Sequence, residues 1–118
     1  MPHVVLENIN SAKVAFDSVD PFTTRIDGSI LKVTDKYLNS AQNKALIESL
    51  AVENGNNQSF FVELSQKQTS LTVRLLPLTD PEKTPGVKTI MAMLAKLIKD
   101  SNPDVHYGKT NLQNFLLE

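Results

Sequence analysis

Cysteine and tryptophan are both missing from the 118 residues. Without cysteine the chain holds no disulfide, no thiolate nucleophile and no zinc–thiolate centre. Charge of either sign is also scarce in excess: 12 basic residues face 13 acidic ones, for a net charge of −1. No cationic block stands ready to neutralise a phosphate backbone, which argues against nucleic acid as a partner. Arginine occurs twice, as Arg25 and Arg74, so bidentate recognition of an anion falls to one of these or is left to lysine. The two histidines, His3 and His106, lie far apart in the chain, and no metal site is expected from them. Glycines are isolated, as in Asp27-Gly28 and Pro85-Gly86, whereas a phosphate cradle needs several together. A Gly-x-Ser-x-Gly nucleophile elbow is absent. No apolar run approaches the roughly 18 residues that span a bilayer. The first 20 or so residues lack a basic segment followed by an apolar one. A cytoplasmic protein with no membrane partner and no cofactor is the expectation.

What is present is average globular material: 41% hydrophobic and 21% charged residues, enough for a single domain over 1–118. Period-two alternation predicts strands over 3–9 and 12–19, with Asn8-Ile9-Asn10-Ser11 as the turn between them. Residues 23–34 read as extended, broken by the hairpin signal Asp27-Gly28. Leu46, Ile47, Leu50 and Ala51 recur as one stripe of an amphipathic helix. That helix is placed at about 40–53, with Asn39 or Ser40 as cap and Gly55 beyond its end. Residues 53–58 follow as a polar loop. Alternation around Phe60, Val62, Leu64 and around Leu71, Val73, Leu75 predicts a hairpin of 59–65 with 70–76. Thr84 and Pro85 open a second helix at about 85–100, with Val87, Ile90, Met91, Leu94, Leu97 and Ile98 on its apolar stripe. His106-Tyr107 reads as a tail anchor or a pocket wall, and Leu112, Phe115 and Leu116 suit two further helical turns. The expected fold is α+β: an antiparallel or mixed sheet of about 4–6 strands with two main helices packed on one face. Phe61 and Leu76 fall on the nominally polar side of the hairpin, which points to a second face covered by another subunit.

One residue could carry chemistry unaided. Pro2 becomes a secondary amine if Met1 is removed. In an apolar site its charged form loses stability and its pKa falls toward neutrality, where it serves as a general base. A nearby arginine would hold an anionic substrate and favour the neutral amine further. Glu7 and Glu63, on predicted strands, could divide acid and base roles if they met.

The opening Met1-Pro2-His3-Val4-Val5-Leu6-Glu7 resembles the start of the tautomerase superfamily, in particular 5-carboxymethyl-2-hydroxymuconate isomerase-like proteins. The layout from Leu71 to Lys99 is similar to that family's second β-α unit, and Lys109-Thr110-Asn111 to its closing segment. The resemblance implies catalysis by Pro2 as an amino-terminal base, keto-enol tautomerisation of a small dicarboxylate, no cofactor and a trimer. The family's loop arginine has only Lys83 in its place between Thr79 and Thr84. Arg25 or Arg74, with His106, would then bind substrate. Set against this are the missing catalytic constellations and the apolar residues on both faces of the 59–76 hairpin. These favour a binding or assembly module, expected to form a homo-oligomer or to bind a protein partner, with the tautomerase as the alternative.

Overall fold

The computed structural model describes residues 2–116. The chain runs β1 (His3–Glu7), α1 (Ala12–Ser18), β2 (Phe22–Ile26), β3 (Ser29–Leu38), β4 (Lys44–Glu53), β5 (Asn56–Lys67), β6 (Ser70–Leu75), α2 (Pro85–Ser101) and β7 (His106–Thr110). Two 3₁₀ turns, Pro77–Thr79 and Gln113–Phe115, follow β6 and β7. All seven strands form one antiparallel sheet in the order β2-β3-β4-β5-β6-β1-β7. Helix α2 touches β1, β3, β4 and β6, on both sides of β5, so the sheet curls round it as a half-barrel.

Two-residue turns set the register. Asp27-Gly28 and Asn54-Gly55 both carry positive φ, at 49° and 83° and at 50° and 82°. That is the conformation whose twist matches paired strands. Alternation then sends Val4, Leu6, Leu31, Val33, Ala45, Ile47, Phe60, Val62, Leu64, Leu71, Val73 and Leu75 to one face, where all are buried. Helix α2 closes that face with Val87, Ile90, Met91, Leu94 and Ile98. Each such side chain contributes roughly 1.5–3 kcal/mol by leaving water. The start of α2 is held as the sequence predicts: Thr84 Oγ1 accepts from the Val87 N–H at 3.3 Å, and Pro85 needs no partner at N1. Glu53 adds a second tie, accepting from the Gly86 N–H at 2.9 Å and from Thr84 Oγ1 at 2.6 Å.

The α+β class and the helix near 85–100 agree with the sequence, while other expectations do not. The helix expected at about 40–53 is β4. Ala45, Ile47, Ser49 and Ala51 enter the core while Leu46, Leu50 and Val52 lie on the opposite face. A strand apolar on both faces mimics a helical stripe. Asn39, expected as a helix cap, instead closes the β3–β4 turn, its Oδ1 accepting from Asn43 and Lys44 N–H groups at 3.1 and 3.0 Å. The strand expected at 12–19 is α1: Ala12, Ala15 and Val19 are buried at helical spacing, and Ser11 Oγ caps Lys13 N–H at 3.1 Å. The sheet therefore has seven strands rather than 4–6, with β5 beginning inside the expected polar loop and β7 formed by the tail. In place of two helical turns at the end there is one 3₁₀ turn behind the buried Leu112. The two helices, α1 and α2, do share one face of the sheet. Lys36 fastens α1 there, donating to the Phe16 carbonyl at 2.7 Å and lying 4.3 Å from its ring centre. No helix among the described residues is long and apolar enough to cross a membrane.

Candidate interaction surface

The second face of the sheet has no helix on it among the described residues. Strand register makes its side chains explicit. One transverse row runs Tyr37, Leu46, Glu63, Arg74, His3 across β3, β4, β5, β6 and β1. The next row carries Asp35, Glu48 and Phe61. Further along lie Lys32 with Leu50, and Ile30 with Val52. Tyr37 and Phe61 meet edge to face with ring centres 6.3 Å apart. Glu63 is 7% exposed although it belongs to this bare face. Arg74 covers it, with Nε and Nη2 2.7 and 2.6 Å from the same carboxylate oxygen. On this face Leu46, Leu50, Val52, Phe61, Val5 and Ile30 are all half-buried, a mixed apolar and charged surface.

The sheet also ends in two edges. Among the described residues strand β2 pairs only with β3, and all five of its residues are in register there. Its Ile26 is 41% exposed. Beside it, between β2 and α2, runs a groove of about 490 Å³ lined by Pro21, Phe22, Thr24, Met93 and Leu97, with Lys96 and Asp100 on its rim. Lys96 donates to Asp100 at 2.8 Å. That bond holds the Asp100 carboxyl below its ordinary pKa and the Lys96 amine above its own.

The residues singled out by the sequence scatter over this frame. Pro2 is buried and lines a hollow of about 250 Å³ with Lys83, Lys88, Asn111 and Leu112, on the helix side. Met1 lies outside the described residues. Arg74 faces the bare side and is occupied by Glu63. Arg25 sits on β2, separated from β1 by β3, β4, β5 and β6, roughly 24 Å at ordinary strand spacing. His106 is exposed on β7 opposite Glu7. The structure thus brings neither arginine to Pro2, and places two lysines there instead. Glu7 and Glu63 share a face but not a site: Glu63 opposes Arg74, Arg74 opposes His3, and Glu7 is four residues further along β1. Among the described residues no group of three or more His, Asp or Glu could hold a metal ion. The β2 edge and its groove were missed because the extended segment 23–34 carried no sign of its place in the sheet; only Ile26 beside Asp27-Gly28 hinted at an exposed apolar strand end. Compared with family models, curated proteins and solved structures, the chain matches none.

Proposed function

We propose that this chain is a binding and assembly module that works through its sheet, not through an enclosed catalytic site. The observation that carries this reading is the unpaired outer edge of β2 next to exposed Ile26 and an apolar groove. An open strand edge offers a row of backbone donors and acceptors to another chain. The bare face, with Leu46, Leu50 and Phe61 half-buried, supports it as additional adhesive surface. Sedimentation velocity from about 1 μM to several hundred μM tests the reading, because small interfaces associate weakly. Growth of the sedimenting mass with concentration is expected. A monomer at every concentration, with no partner needed for stability, counts against it.

A second reading rests on Pro2. Its buried position beside Lys83 and Lys88 supports the tautomerase alternative. A terminal proline amine there would feel two ammonium groups, which favour its neutral, basic form and would hold an anionic substrate. Lys83 also pairs with Asp80, and Lys88 lies 5.8 Å from the Phe115 ring centre. Intact-mass spectrometry tests the premise, since a retained Met1 removes the amine. With Met1 gone, phenylpyruvate enolisation by the wild type and not by Pro2→Ala is the expected result.

A further inference from the structure

The hairpin turn decides which backbone groups β2 shows to the outside. Ile26 and Ser29 flank the two-residue turn Asp27-Gly28. In such a hairpin the flanking pair exchanges both hydrogen bonds, and bonded and non-bonded pairs alternate from there. Phe22, Thr24 and Ile26 therefore bond to β3, while Thr23 and Arg25 turn their N–H and C=O groups outward. Side chains follow the same alternation: Phe22 packs on the core from the helix side, and Thr23 and Arg25 belong to the bare side.

We propose that the outer edge of β2 is filled by β2 of a second copy, antiparallel about a two-fold axis at Thr24, so that two seven-stranded sheets become one. The proposal rests on the assembly reading and names its partner. Three symmetric registers align the outward groups. Centring on Thr23 sets Arg25 against Pro21, which has no N–H to give. Centring on Arg25 places two guanidinium groups directly opposite each other, a repulsive cross-strand pair. Centring on Thr24 sets Thr23 of each copy against Arg25 of the other, makes about four backbone hydrogen bonds and keeps the two positive charges apart. The same register lays exposed Ile26 of one copy beside Phe22 of the other, at the mouth of the groove lined by Met93 and Leu97. Thr24 meets its own copy as a non-hydrogen-bonded pair, the type in which side chains approach most closely. An interface built on a five-residue strand belongs with small, reversible contacts.

The absence of cysteine makes the register directly readable. Under mild oxidation Thr24→Cys is expected to form a covalent dimer roughly tenfold faster than Thr23→Cys or Arg25→Cys alone, because only the central pair brings like positions within disulfide reach. A mixture of Thr23→Cys and Arg25→Cys is expected to cross-link faster than either alone. Thr23→Pro deletes an outward N–H without touching the β2–β3 ladder, and Ile26→Lys breaks the apolar pair with the backbone intact. Each is expected to abolish concentration-dependent sedimentation while leaving the melting temperature of dilute protein unchanged. Should Thr23→Pro fail to fold, Ile26→Lys decides. Wild-type association with no preference for Thr24→Cys, or undiminished in Ile26→Lys, overturns this pairing and leaves the assembly reading standing on another surface or register. A wild type that stays monomeric and a Thr24→Cys that does not cross-link end both.

Discussion

The two edges of the sheet are built from strands of equal length, five residues in β2 and five in β7, yet they are finished in opposite ways. Strand β7 shifts register against β1 between Val4 and Leu6, which bends the outer strand away from flat pairing. Gly108 at its centre has no side chain because Glu7 occupies the space: a Cβ there would lie 2.8 Å from Glu7 Cγ. The end of β7 is then tied down. Thr110 Oγ1 donates to the His3 carbonyl at 2.8 Å and accepts from the Leu112 N–H at 3.0 Å, while Leu112 is buried. Strand β2 has none of this. Its five pairs with β3 are regular, and exposed Ile26 is left beside the turn. Natural sheets blunt edges that must stay single. One edge carries a register shift and a tied-down end and the other is regular, so among the described residues the open edge at β2 is specific to that strand.

Breaking the β7 finish is expected to have the largest effect. Leu112→Ala removes a buried anchor and is expected to cost about 2–5 kcal/mol in chemical denaturation. Amide exchange over His106–Thr110 is expected to rise while the proposed association through β2 is unchanged. A loss of association along with stability would show that the edges are not independent. Gly28→Ala acts on the other edge. Gly28 has φ 83°, and a side chain there is expected to cost about 1–2 kcal/mol, fray β2 and weaken self-association. Unaltered association in a destabilised Gly28→Ala would contradict a role for β2. Thr110→Val is the milder counterpart on β7. It preserves shape but deletes the two hydroxyl bonds, and about 1 kcal/mol is expected by the same denaturation assay.

The edges also explain what could be seen in the sequence and what could not. Helix α2 was legible because Thr84-Pro85 and the apolar stripe from Val87 to Ile98 are local signals that agree with one another. The β5–β6 hairpin was legible for the same reason, its alternation being regular through Phe60, Val62, Leu64 and Leu71, Val73, Leu75. Strand β4 was not, because it lies mid-sheet with apolar residues on both faces, and only its pairing with β3 and β5 separates Leu46 from Ile47. Helix α1 is seven residues long, too short for its period to outweigh the alternation of Ala12, Val14 and Phe16. Pro2 and both arginines were named as site residues, but a one-dimensional reading could not place Arg25 on the far edge or Arg74 on the opposite face from Pro2. The β2 edge depends on strand order, which is a long-range property that no single segment encodes.

The smallest expected effect separates the groove rim from the edge itself. The Lys96–Asp100 bond lowers the carboxyl pKa and raises that of the amine. Because the folded Asp100 pKa lies below the unfolded value of about 3.9, its stabilisation is present above that value and lost as pH falls through the folded one. The raised Lys96 value works in the other direction: its share is present below the ordinary lysine range and lost as pH rises through the folded pKa. Asp100→Asn should therefore lower Tm slightly at neutral pH, and the difference from wild type should vanish in acid. The groups are solvent-exposed, so the shift is expected to be small and reduced by salt. The β2 edge offers backbone groups that do not titrate, and Asp100→Asn should leave the association constant unchanged across the same pH range. Association that follows the Asp100 titration would instead make the Lys96–Asp100 rim part of the interface, and the open edge would then owe its adhesion to charge as well as to backbone.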